Sequence, residues 1–232
     1  MRPPYLLGSE TNARKISMTA DISKNHENVR VYVWTDFVCP YCLIAEGPIK
    51  EAVDAENAEL VWMPFELRPS PTPTLRPEDN YLQTSWRDGV YPTARRMGVD
   101  IKLPTISPQP YSRTAFIGMQ WAADQSKRND YVEAVLRAFF QQDRDIGDVE
   151  VLKDIVSNLA LNADVFEAAL SDPELARRHD EALKLSEDVG VRAVPTVLIG
   201  NRLFSGLRDG PKMREAIRDT TENLLNYPSA AI

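Results

Sequence analysis

The sequence predicts an α/β protein in which a βαβ unit at the front and a ββα unit at the back enclose a long all-helical block. Three observations carry this prediction. A β-branched and aromatic run, Val31-Tyr32-Val33-Trp34, leads through Cys39-Pro40-Tyr41-Cys42 into a helical pattern. Between Ser112 and Val189 the apolar residues recur at helical spacing. The chain then returns to strand patterns, Thr196-Val197-Leu198-Ile199 and Arg202-Leu203-Phe204-Ser205-Gly206, on either side of the turn Gly200-Asn201.

Val31 to Asp36 reads as a buried strand, and Pro40 to about Glu56 as a helix whose apolar stripe is Ile44, Ile49, Ala52 and Val53. Gly47-Pro48 predicts a kink in it. Leu60 to Leu67 reads as a second strand, with Pro64 marking an edge position or a bulge. Strand, helix, strand at this spacing implies a parallel pair. Two proline-rich stretches, Arg68 to Pro77 and Leu103 to Pro110, exclude helix and inner strand. They read as extended surface connections, with a substrate-groove rim as the functional alternative. A helix from about Tyr81 to Met97, interrupted at Pro92, lies between them.

The helical block carries the stripes Phe116, Met119, Ala123, then Val132, Val135, Leu136, Phe139, Phe140, then Val149, Leu152, Ile155, Val156, Leu159. Asp148 reads as one cap, Asp164 with Glu167 as a capping box, and Asp172-Pro173 as a cap followed by proline. Gly210-Pro211 opens the last helix, which bears Met213, Ala216, Ile217, Leu224 and Leu225. The organisation is therefore a disordered leader over 1–28, a discontinuous domain over 29–67 and 191–227, a proline-rich connection with a helix over 68–111, and an inserted helical subdomain over 112–190.

Composition narrows the function classes. With 43% hydrophobic and 26% charged residues the chain is an ordinary globular sequence. A net charge of −7 with scattered cations offers no nucleic-acid footprint. No apolar run is long enough to span a bilayer. The polar start, whose only apolar cluster is Tyr5-Leu6-Leu7, lacks the core of a secretory signal, and Met18 is a second candidate start. The expected location is cytoplasmic, where paired cysteines are catalytic more often than structural.

Cys39 and Cys42 are the only cysteines. A strand, Cys-x-x-Cys and a helix is the arrangement of thiol–disulfide exchange. A cysteine at a helix N-terminus faces unpaired N–H groups and the positive end of the helix dipole, which favour thiolate. Cys39 is then the attacking sulfur, and Cys42, a turn further and more buried, resolves the mixed disulfide. Pro40 suits the first helical turn, where its missing N–H has no partner to lose. No metal site is expected, because zinc needs four ligands and the two histidines, His26 and His179, lie far from the pair. An inert structural pair is the alternative. Val194-Pro195, entering the hairpin, is a candidate cis bond. In a redox fold such a loop can face the dithiol and offer Val194 backbone groups to an extended substrate.

The segments Asp36-Phe37-Val38-Cys39-Pro40-Tyr41-Cys42 and Gly190-Val191-Arg192-Ala193-Val194-Pro195-Thr196 resemble the thioredoxin superfamily. The long helical stretch between them resembles the DsbA-like branch. The Asp-Phe-Val-Cys-Pro entry and the proline-rich loops look most like its FrnE group, related to 2-hydroxychromene-2-carboxylate isomerases. The resemblance covers about Val31 to Tyr227. It implies a thioredoxin fold (βαβ…ββα) with an inserted all-helical subdomain. It also implies Cys39 as nucleophile, Cys42 as resolving thiol and Val194-Pro195 as the cis-proline loop. The implied partners are protein or peptide thiols and disulfides, with no bound cofactor and glutathione as a candidate co-substrate. An apolar face on the helical block could support a homodimer.

Pro40-Tyr41 departs from the Pro-His of DsbA. This dipeptide tunes thiolate stability and potential, so an intermediate reduction potential is expected. Tyr41 is expected to be exposed beside Cys39, where it could gate access. Glu46 reads as a solvated helix residue rather than a proton-transfer group, His179 as an interface or core histidine, and Trp34 as strand core. Two other functions keep their place: a glutathione-dependent isomerase or transferase of the same fold, and a non-enzymatic, redox-switched binding module. The related isomerases generally carry serine in place of the first cysteine, so retention of both argues for exchange.

Overall fold

The computed structural model describes residues 28–226. The expected leader, apart from Asn28, lies outside the described residues, as do Met18, Tyr227 and the side chains of Leu224 and Leu225. A four-stranded sheet forms the centre, built from β1 (Arg30–Thr35), β2 (Glu59–Pro64), β3 (Thr196–Ile199) and β4 (Arg202–Ser205) in the order β2-β1-β3-β4. β1 pairs parallel with β2, while β3 is antiparallel to both β1 and β4. An inner strand covered on both faces needs apolar side chains on both. Val31, Val33 and Trp34 of β1 are accordingly buried.

The helix α1 (Pro40–Ala55) connects β1 to β2 and runs on through Pro48 without ending. β2 is an edge strand with Pro64 as its last residue, opposite Thr35, where a missing N–H costs the ladder least. The strand stops before Leu67 because the Leu67 N–H turns away to Asp36 Oδ2 at 2.7 Å.

Between the proline-rich stretches run α2 (Asn80–Ser85), one π-helical turn (Trp86–Val90) and α3 (Tyr91–Met97). The interruption expected at Pro92 therefore falls earlier. Pro92 sits in the first turn of α3, a position that tolerates proline. The π turn surrounds Trp86, whose ring lies 5.3 Å from Tyr91 and 6.0 Å from Phe140.

The helical block consists of α4 (Arg113–Asp124), α5 (Arg128–Phe140), α6 (Val149–Asn158), α7 (Ala163–Ala169) and α8 (Pro173–Val189). Asp148 and Asp172 cap α6 and α8 as the sequence predicts. α7 differs: Asn162 caps it, accepting from the Asp164 and Val165 N–H groups at 3.0 and 3.1 Å. Glu167 is drawn instead to Lys153 of α6, at 2.7 Å. α5 is the spine of the block, with Tyr131, Val132, Val135, Leu136, Phe139 and Phe140 all buried. Each such large apolar side chain contributes roughly 1.5–3 kcal/mol on leaving water.

α5 also packs against α1. Here the solvated reading of Glu46 is corrected: Glu46 is buried and paired with Arg137 at 3.1 Å. The residue faces a neighbouring helix, which the pattern along α1 alone does not reveal. The last helix, α9 (Gly210–Asn226), covers α1 through buried Met213, Ala216 and Ile217. In the β3–β4 turn Gly200 has φ +58 and lies where a Cβ would meet Thr220 at 3.0 Å, so both conformation and space demand glycine.

Candidate active site

The end of β1 and the start of α1 bring the dithiol together. Cys39 is the N-cap residue of α1 in an extended conformation, and its own N–H donates to Asp36 O at 3.0 Å. Pro40 occupies the first turn, as expected. The connecting residues are held from below, where fully buried Phe37 stacks on Phe116 of α4 with centroids 4.4 Å apart.

The two sulfurs occupy unequal environments. Cys39 is 5% exposed and its thiol donates to the Val194 carbonyl at 3.5 Å. The Val194-Pro195 bond is cis, and it sits directly before β3, beside the end of β1. Cys42 is 1% exposed and accepts a hydrogen bond from the Asp36 N–H at 3.5 Å. Burial pushes the Cys42 thiol well up, and the neighbouring Cys39 sulfur pushes the same way. The Asp36 N–H and the nearby Thr35 hydroxyl oppose this and do not overcome it. Cys42 therefore holds its proton beneath the surface, while Cys39 faces the loop that carries Val194.

Tyr41 departs from expectation. It is half-buried, and its hydroxyl packs so closely on Gly89 of the π turn that a Cβ there would lie 2.9 Å from it. The segment 86–90 comes from a remote part of the sequence, so α1 alone gives no hint of this partner. His179 is fully buried on α8, stacked on Phe116 and donating from Nε2 to Glu66 Oε1 at 2.6 Å. It is a core histidine, as the sequence reading favours. Trp34 is buried in the strand core.

Asp36 has no role that the sequence pattern assigns. Its carboxylate is fully buried and accepts from the Leu67 N–H at 2.7 Å and the Val38 N–H at 3.4 Å, with a further contact from the Ser112 side chain. Burial outweighs these contacts and pushes its pKa up to about 6. One residue thus ties the end of β1, the segment after β2 and the start of α4 together around the dithiol. The only signal for it in the sequence is its place three residues before Cys39. No group of three or more metal-ligating side chains occurs among the described residues. Nor is any helix among them long and apolar enough to cross a membrane.

Comparison with known proteins agrees with this geometry. The model of the DSBA-like thioredoxin domain matches residues 30–218. The uncharacterized protein YwbO of Bacillus subtilis (strain 168) is 36% identical over 193 residues, covering 82% of this chain and 96% of its own. Among solved structures, a probable DsbA oxidoreductase from Streptomyces coelicolor superposes with a TM-score of 0.71 at 18% identity, over 88% of this chain and 93% of that one. A 2-hydroxychromene-2-carboxylate isomerase gives 0.68 at 17% identity, over 86% and 100%. The cytosolic disulfide reductase DsbM of Pseudomonas aeruginosa, solved with GSH, gives 0.60 at 17% identity, over 85% and 98%. At these identities the structures show a shared fold, and that fold serves more than one chemistry.

Proposed function

Because the chain belongs to the DSBA-like thioredoxin-domain family, we propose that it is a thiol–disulfide oxidoreductase whose Cys39 attacks and whose Cys42 resolves. The observation that carries this reading is the inequality of the two sulfurs. Cys39 Sγ lies against the Val194 carbonyl, whereas the more deeply buried Cys42 keeps its proton.

The reaction balances without a further cofactor. The Cys39 thiolate attacks a substrate disulfide, one S–S bond forms as the other breaks, and the departing substrate thiolate takes a proton. Cys42 then gives up its proton and attacks Cys39 Sγ. The Cys39–Cys42 disulfide forms and the second substrate thiol leaves, so two electrons have passed to the substrate. The reverse sequence oxidises a substrate dithiol. Once Cys39 has reacted, the Val194 carbonyl is free to accept a main-chain N–H from the substrate. Pro40 and Tyr41 tune the pair, and Pro195 fixes the Val194 loop. Substrates in this reading are protein or peptide thiols and disulfides, with glutathione as a co-substrate and the cytoplasm as the setting. The Asp36-to-Pro40 entry and the proline-rich loops support placement nearest the FrnE group.

Cys42→Ser tests the mechanism. The variant is expected to lose turnover and accumulate a mixed disulfide at Cys39, read by mass spectrometry of acid-quenched reactions. Full turnover by this variant would instead identify a glutathione-dependent isomerase or transferase, which has no need of a resolving thiol.

A further inference from the structure

A buried hydroxyl adjoins the dithiol with nothing to bond to. Thr35, the last residue of β1, is wholly out of water, and its Oγ1 meets the geometry of a hydrogen bond with no group among the described residues. Its backbone is fixed on the sheet: Thr35 stands opposite Pro64 of β2, and its carbonyl accepts from the Phe65 N–H at 2.9 Å. A hydroxyl kept from water and left without a partner is costly, and in a native fold such a group calls for an explanation.

Cys42 supplies the explanation. The next residue after Thr35, Asp36, sends its N–H to Cys42 Sγ at 3.5 Å, a long contact for a sulfur that must ionise in a buried place. The Thr35 hydroxyl lies near the same sulfur, where it favours the thiolate. A thiol is a weak acceptor, whereas a hydrogen bond to an ionised group is roughly twice as strong as a neutral one. A donor that stands idle against the thiol therefore comes into use when the proton leaves. Thr35 suits this task because burial and its β-branch hold Oγ1 in place, so that only the hydroxyl hydrogen has to rotate.

We propose that Thr35 is a catalytic residue of the exchange reaction, its hydroxyl donating to Cys42 Sγ as that sulfur becomes a thiolate and resolves the mixed disulfide. The assignment rests on the exchange reading of Cys39 and Cys42. In this step the Cys42 S–H bond breaks, the Cys42–Cys39 bond forms, and the bond from Cys39 Sγ to the substrate sulfur breaks. The departing substrate thiolate takes up a proton as Cys42 releases one, and the Thr35 proton stays on its own oxygen throughout. The interaction grows only as charge develops on Cys42, so it lowers the barrier to resolution rather than tightening the bound state. The first step is served separately, since the Cys39 thiol has its own contact with the Val194 carbonyl.

The test uses the reduced full chain in excess over bis(nitrocarboxyphenyl) disulfide, which releases one coloured thiolate when Cys39 attacks and a second when Cys42 resolves. Stopped-flow absorbance reads the two phases, and the first serves as the reference for the second. Thr35→Val keeps the shape and removes the hydroxyl; Thr35→Ser keeps the hydroxyl. Thr35→Val is expected to slow the second phase about tenfold, as loss of a hydrogen bond to a charged group implies, and to move its pH midpoint upward. Cys39 and Asp36, the titratable residues adjoining Cys42, are present in every variant, so that movement is read against a constant background. Thr35→Ser should restore both the rate and the midpoint. Reduced Thr35→Val should also unfold at a higher urea concentration than wild type, because an unpaired buried hydroxyl has given way to a methyl group. A second phase that is unchanged in Thr35→Val, or slowed equally in Thr35→Ser, overturns the role of Thr35 and leaves the exchange chemistry standing. A lower unfolding midpoint for Thr35→Val shows that the hydroxyl is already paired in the dithiol form, which overturns it as well. Should Thr35→Val not fold, Thr35→Ala carries the same expectation for the second phase. Absence of a second coloured release from wild-type protein removes the exchange reading, and the role of Thr35 with it.

Discussion

Asp36 shows how one side chain can hold a site together at a cost to the fold. Its carboxyl titrates near 6 in the folded protein, against about 4 in an unfolded chain. The folded state therefore binds this proton more tightly between those values, so stability falls as pH rises from about 4 to about 6 and the cost persists above that window. Two pKa units correspond to on the order of 3 kcal/mol. Asp36→Asn removes the titration, so the gap in unfolding free energy between wild type and variant should shift in the variant's favour across pH 4–6. Urea unfolding at a series of pH values reads that gap, and a constant gap would show that Asp36 does not titrate there.

At the scale of elements, the segment after β2 is fastened to α8 by Glu66 and His179, two side chains almost wholly out of water. Glu66→Ala leaves the His179 ring buried with both nitrogens unpaired, since Nδ1 already has no partner among the described residues. A loss of about 1–3 kcal/mol in urea unfolding is expected. Glu66→Gln keeps an acceptor and should recover most of it; equal losses in the two variants would mean that volume, not the hydrogen bond, fixes this contact. Contacts of this kind also mark what the sequence could and could not reveal. Cys39, Cys42, the strand before them, the helix after them and the Val194-Pro195 entry to β3 were legible because their signals are local. Glu46 and Tyr41 were misread because Arg137 and Gly89, which receive them, lie far along the chain and arrive only through packing.

Over the whole molecule, the dithiol is coupled to everything that packs on α1 and on the turn before it. Phe37 stacks on Phe116, Glu46 reaches Arg137, and Arg218 of α9 pairs with Glu56. A site braced from both the helical block and the C-terminal helix is expected to unfold with the rest in one cooperative transition. That coupling makes the reduction potential a stability measurement, because any preference for dithiol over disulfide in the fold must appear as a difference between the unfolding curves of the two forms. Pro40-Tyr41 places no cation between the sulfurs, and Tyr41 is committed to the Gly89 contact. The reduced form is therefore expected to be only modestly favoured. Its potential should fall between roughly −270 mV, typical of a reductant, and roughly −120 mV, typical of a strong oxidant. Equilibration in glutathione buffers with trapping of free thiols gives the value, and a result outside that interval defeats the argument. Tyr41→His then supplies the missing source of thiolate stabilisation and should raise the potential by on the order of 30 mV, matched by a gain of about 1.4 kcal/mol in the stability of the reduced form relative to the oxidised one. A potential that rises without that change in the unfolding curves would mean that the site is not coupled to the global fold.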